Sequence, residues 1–149
     1  MWFLDYKMFK SFYFYTIKTN KMDRKVIATA AILGLTGIVL GAFGAHGLKK
    51  LVSPESVLVF ETGVRYQIFH ALFLLFVGTT AYVSDKAKKS ILYLTISGVF
   101  LFSVSIYFLA INTLLPFDFA KFGWVTPIGG LLLIAAWAVL FLHIIKRKG

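Results

Sequence analysis

The chain has 149 residues, of which 59% are hydrophobic and 15% charged, with a mean hydropathy of +0.82. That balance exceeds what a soluble domain of this size carries, and little chain is left for a second domain once membrane spans are subtracted. The net charge of +10 comes from 16 Lys and Arg against 6 Asp and Glu, and there is no Cys, so disulfides, thiolate chemistry and Cys-ligated metals are excluded. The lysines cluster at the ends of apolar runs, where they serve as headgroup anchors; no nucleic-acid partner is expected.

In chain order, residues 1–21 form an atypical N-terminal extension. Eight aromatics (Trp2, Phe3, Tyr6, Phe9, Phe12, Tyr13, Phe14, Tyr15) alternate there with Lys7, Lys10, Lys18 and Lys21. No run in it is long enough to span a bilayer, and no small-residue cleavage site follows. Two readings stay open. The segment is an interfacial anchor, or translation begins at Met22, with Asp23, Arg24 and Lys25 as an ordinary cytoplasmic flank. Residues 22–149 then form one four-helix transmembrane domain.

The first span is predicted over residues 26–45, about 30 Å of helix at about 1.5 Å per residue. Gly34, Gly37, Gly41 and Gly44 recur at helical spacing and share one face, with a GxxxG unit at its centre. Such a face lets a second helix approach backbone-close. The spacing does not say whether that helix belongs to the same chain or to another copy. Beyond His46, Ser53-Pro54-Glu55 reads as a helix start: a capping serine, a first-turn proline and a carboxylate at the positive dipole end.

The second span is predicted over 64–83, with Glu61 and Arg65 as an i,i+4 ion pair at its mouth. Gln67 and His70 then lie just below the surface. Ser84 to Lys89 reads as a short, basic, exposed turn. The third span is predicted over 90–111 and contains Ser103, Ser105 and Tyr107. The fourth, over 124–145, opens with Thr126-Pro127 as a further cap and first-turn proline, and Gly129 and Gly130 supply a second packing surface.

Lys and Arg number six before the first span (two from Met22 onward), three in the middle turn and three in the tail. The opposite side holds two in the first loop, Arg65 at the helix mouth and Lys121 in the third loop. The positive-inside rule therefore predicts a multi-pass cell-membrane protein with both termini cytoplasmic. With that topology His46, Glu61, Arg65, Gln67, His70, Tyr107 and Thr126 fall at similar depth in the outer half, and polar groups there are expected to converge away from lipid.

Their ordinary roles carry most weight: interhelical hydrogen bonds for the histidines, a snorkelling ion pair for Arg65, a cap for Thr126. His46 and His70 as haem or metal ligands are disfavoured, since no second histidine pair, His-x-x-x-His spacing or nearby intramembrane carboxylate accompanies them. No catalytic residue and no cofactor is expected: Ser103 and Ser105 have no base on their own span, and no span holds an acid.

GAFGAHGLKK (41–50), FETGVRYQIFHAL (60–72), FSVSIYFLA (102–110) and FGWVTPIGGLLLIAAW (122–137) occur in this order. Together they resemble the signatures of the domain-of-unknown-function family four-two-three, the YgdD/YwdK-like small membrane proteins, similar also to an animal transmembrane-protein group. The resemblance covers roughly residues 24–145, departing at Val104 and near Ala136, where the family pattern carries glycine. It implies a four-helix inner- or plasma-membrane protein and no established activity. The sequence thus leads to an all-α, four-transmembrane-helix bundle of non-enzymatic scaffold or accessory character. Its partners are the lipid bilayer and a second copy or another membrane protein. The alternative is an outer-face polar pocket for a small solute, lipid headgroup or ion.

Overall fold

The computed structural model describes residues 20–146. Of the N-terminal extension, all but Asn20 and Lys21 lies outside the described residues. The described chain is helical: α1 (Lys21–His46), α2 (Pro54–Thr79), α3 (Asp85–Val99), α4 (Ser105–Ala110) and α5 (Val125–Lys146). A π-helical segment, Phe100–Val104, joins α3 to α4 into one continuous rod. Four stretches are therefore long and apolar enough to cross a membrane.

Short polar side chains start the helices. Asn20 accepts from the Met22 and Asp23 backbone N–H groups while Asp23 accepts from the Asn20 N–H, a reciprocal capping box. Ser53 caps α2 with Pro54 in its first turn, as expected from the sequence. Ser84 caps α3 by accepting from the Ala87 N–H. This last cap corrects two sequence expectations. Helix α2 ends at Thr79, not near Val83, and residues 85–89 are the first turn of α3, not an exposed loop.

Lys88, expected in that exposed turn, is buried. Its Nζ lies 2.5 Å from Asp23 Oδ1 and 2.8 Å from the Thr80 carbonyl oxygen, tying the start of α1 to the turn before α3. Asn20 Nδ2 donates to Asp85 at 2.8 Å, and the Ser84 N–H donates to His143 Nε2 at 3.2 Å. These links place both ends of the described chain at the same end of the bundle.

Van der Waals fit, more than apolar burial, holds helices together in lipid, because acyl chains are as apolar as leucine. The glycines supply that fit. No described residue has positive φ, so none of these glycines is required by turn geometry; they are there for proximity. A Cβ on Gly37 would lie 2.7 Å from Ile68 Cδ1, one on Gly41 3.4 Å from Val64, and one on Gly44 3.1 Å from Phe60. The glycine face of α1 is thus filled by α2 of the same chain.

Helix α2 meets the third rod at Gly63, where a Cβ would come within 2.6 Å of the Tyr107 ring and 3.1 Å of the Ser103 carbonyl oxygen. The rod meets α5 at Gly98, against Leu133, and at Gly129, against the backbone of Leu101 and Phe102. Around these seams the core divides in two. One cluster, toward the chain ends, includes Val26, Phe73, Leu74, Ile91 and Ala136; the other, toward the opposite loops, is Leu48, Phe60 and Ala110.

Candidate functional site

Gln67 stands midway along α2 and is buried between three spans. Its Nε2 donates to the Leu33 carbonyl at 2.9 Å and to Thr36 Oγ1 at 2.8 Å, while its Oε1 accepts from the Tyr107 O–H at 2.9 Å. Thr36 in turn donates to the Ile32 carbonyl at 2.8 Å, so its lone pair is what Gln67 meets. The Tyr107 ring packs on Phe60, centroids 4.7 Å apart, over the space left by Gly63. Each amide atom of Gln67 is therefore engaged, which makes it a clamp joining the first, second and third spans.

A second clamp joins the third and fourth spans. Ser105 Oγ donates to the Phe102 carbonyl at 2.9 Å and lies 2.7 Å from Thr126 Oγ1. Since the Ser105 proton is used, Thr126 is the donor in that pair. Thr126 is the second residue of α5, so it does not cap the helix as its sequence context suggested. The π-helical register at Phe100–Val104 accompanies this contact, and Gly129 lets α5 sit directly on that backbone.

His70 is buried at 5% exposure and follows a different logic. Its Nδ1 is 2.7 Å from the Tyr66 carbonyl oxygen, but its Nε2 is solvent-inaccessible with no hydrogen-bond partner. Thr95 Oγ1 and Ser103 Oγ are likewise buried and unpartnered. His70 lines a lateral groove of about 490 Å³ between α2 and α5, walled by Tyr66, Phe69, Phe73, Phe76 and Trp137. Phe73 and Trp137 stack directly on each other in its wall, with centroids 4.2 Å apart.

The remaining candidates do not join these groups. His46 and Arg65 are exposed. Glu61 and Arg65 form no ion pair; among the described residues the ion pair is Lys88–Asp23. No group of three or more His, Cys, Asp or Glu suited to a metal occurs among the described residues. Of the packing glycines, Gly34 faces Ala71 across an ordinary 3.9 Å, and Gly130 faces the Phe102 ring at 3.6 Å. Sequence reasoning missed Thr36, which precedes Gly37 in α1 and flanks the glycine face without belonging to it. It also missed the groove, which arises only when α5 docks.

In the far loop, Asp118 Oδ1 accepts from Asn112 Nδ2 and from the Ala120 N–H, both at 3.0 Å. These bonds, the Asn112 amide first and the Ala120 N–H second, hold its carboxyl below the ordinary carboxylate range, with Lys121 adding to the effect.

The profile of a family described as "Protein of unknown function (DUF423)" matches residues 40–130. A UPF0382 membrane protein of Staphylococcus haemolyticus is 35% identical over 123 residues, 83% of this chain and 97% of that protein. The UPF0382 membrane protein YwdK of Bacillus subtilis is 34% identical over 125 residues, 80% and 95% of the two chains. The UPF0382 inner membrane protein YgdD of Escherichia coli is 38% identical over 131 residues, 85% and 95% of the two chains. No solved structure matches. Four apolar spans, the ordered motifs and near-full-length similarity make this chain an integral membrane protein of the DUF423 family.

Proposed function

We propose that the protein is a non-enzymatic scaffold or accessory component of the cell membrane, with both termini cytoplasmic. One observation carries this reading: the polar side chains at Gln67, Tyr107, Thr36, Ser105 and Thr126 are bonded to one another across helices. They are used in assembling the bundle, and no nucleophile–base pair stands among them. The pocket alternative has weaker support, because His46, Glu61 and Arg65 stay apart from Gln67 and Tyr107.

Contact with a partner then falls to the outer faces of α1 and α5, where Ile38 and Ile134 are 69% and 65% exposed. The glycine face of α1 is not available for this, being filled by α2. The excess of Lys and Arg at the end holding both termini supports the cytoplasmic assignment. The test is photo-crosslinking in native membranes from probes at positions 38 and 134. The proposal expects a discrete protein adduct, either a second copy or another membrane protein. Adducts to lipid alone from both positions would contradict it.

A further inference from the structure

His70 and its groove go beyond the scaffold reading. The Tyr66 carbonyl can only accept a hydrogen bond, so in the neutral imidazole the proton sits on Nδ1, and Nε2 is a bare acceptor. That acceptor is buried, unpartnered, and carried by a side chain that lines a groove rather than a closed core. An unpaired buried acceptor needs a donor. Because the groove lies on the side of the bundle between two membrane helices, a donor that enters through it comes from the bilayer. The lining specifies the rest: Tyr66, Phe69, Phe73, Phe76 and Trp137 offer ring faces and edges, which favour a flat aromatic body. About 490 Å³ accommodates one substituted ring with the beginning of a hydrocarbon tail.

We propose that this groove binds a lipid-soluble quinol, its ring among these aromatics and one hydroxyl donating to Nε2 of His70. Nε2 itself has no exposed surface at the floor of this open groove, so binding requires a lining ring to swing aside and admit the hydroxyl. The oxidised quinone presents only acceptor oxygens and has nothing to give Nε2. The site therefore discriminates by protonation of the head group, and binding alone is proposed, with no electron transfer.

The test uses the full chain in nanodiscs under anaerobic conditions, with Trp2 and Trp124 replaced by Phe so that fluorescence reports Trp137. Titration with a short-tailed quinol is expected to quench Trp137 with an affinity about tenfold tighter than the matching quinone, as one hydrogen bond allows. His70→Leu is expected to abolish that preference while circular dichroism and monodispersity stay unchanged. If His70→Leu does not fold, Phe73→Leu is expected to weaken binding of quinol and quinone alike. Equal affinity for quinol and quinone in the unsubstituted site overturns the proposal, as does a preference that survives His70→Leu. Equally tight binding of a straight-chain alcohol overturns the aromatic class, and a haem band in the purified protein assigns Nε2 to iron instead.

Discussion

Replacing Gly129 with alanine puts the packing account under its severest strain. A Cβ at this position would press on the backbone nitrogen of Phe102 and stand 2.7 Å from the Leu101 carbonyl carbon and 2.8 Å from Phe102 Cα. An ordinary contact begins near 3.4 Å, and what must yield is helix backbone, not the end of a flexible side chain. Helix α5 would have to withdraw from the π-helical segment by about 1 Å to bring the tightest contact to an ordinary one, at an overpacking cost of about 1–3 kcal/mol. Withdrawal also stretches the 2.7 Å Ser105–Thr126 bond, worth about 0.6 kcal/mol between membrane helices.

Gly129→Ala is therefore expected to lose about 2–4 kcal/mol in all. Gly34→Ala, whose Cβ would meet Ala71 at 3.9 Å, should stay within about 0.5 kcal/mol of the parent. Steric-trapping or detergent-unfolding measurements on both variants would read the difference. If Gly129→Ala proved as stable as Gly34→Ala, the close approach of α5 to the third rod would be wrong.

Three further outcomes are expected. Tyr107→Phe removes the donor to Gln67 and should cost about 0.6–1.7 kcal/mol, whereas Tyr107→Ala also empties the space beside Phe60 and should cost about 3–5 kcal/mol; a Tyr107→Phe variant as stable as the parent in an unfolding assay would argue against the clamp. Lys88→Met strands the mostly buried Asp23 and should cost about 3 kcal/mol, with part regained when Asp23→Asn is added; strict additivity of the two substitutions would refute the pairing. Asp118 has a depressed folded value, so its stabilising bonds persist above the ordinary carboxylate range and are lost as pH falls through the lower folded value. NMR shifts of the Phe119 and Ala120 amides should accordingly change only below that ordinary range, and a midpoint inside it would count against the loop hydrogen bonds.

The spans were legible because bilayer thickness imposes a length and charges avoid the hydrocarbon, and the Ser53-Pro54 start was legible because capping is local chemistry. Interior placement was harder. Glu61 and Arg65 made the second span seem to begin at Val64, which set Gln67 and His70 near its mouth. The helix instead begins at Pro54 and puts Gln67 at its middle. Lys88 was hidden in a basic run whose other lysines do face outward, and only the arrival of Asp23 from α1 makes its burial favourable. The π-helical segment has no compositional mark, since a one-residue slip in hydrogen bonding leaves the apolar pattern intact. The glycine face of α1 was plain in the sequence, but its occupant is a tertiary fact.

That occupant is also what the whole account turns on. The chain lacks cysteine, so a pair can be introduced on a clean background as Gly34→Cys with Ala71→Cys. The Cβ separation of 3.9 Å lies within the range a disulfide requires. Mild oxidation in intact membranes followed by non-reducing electrophoresis should give a monomer with an internal bridge, shown by blocked thiols and a linked α1–α2 peptide in mass spectrometry. A disulfide that forms only between two chains, or none at all, would contradict the intramolecular glycine seam.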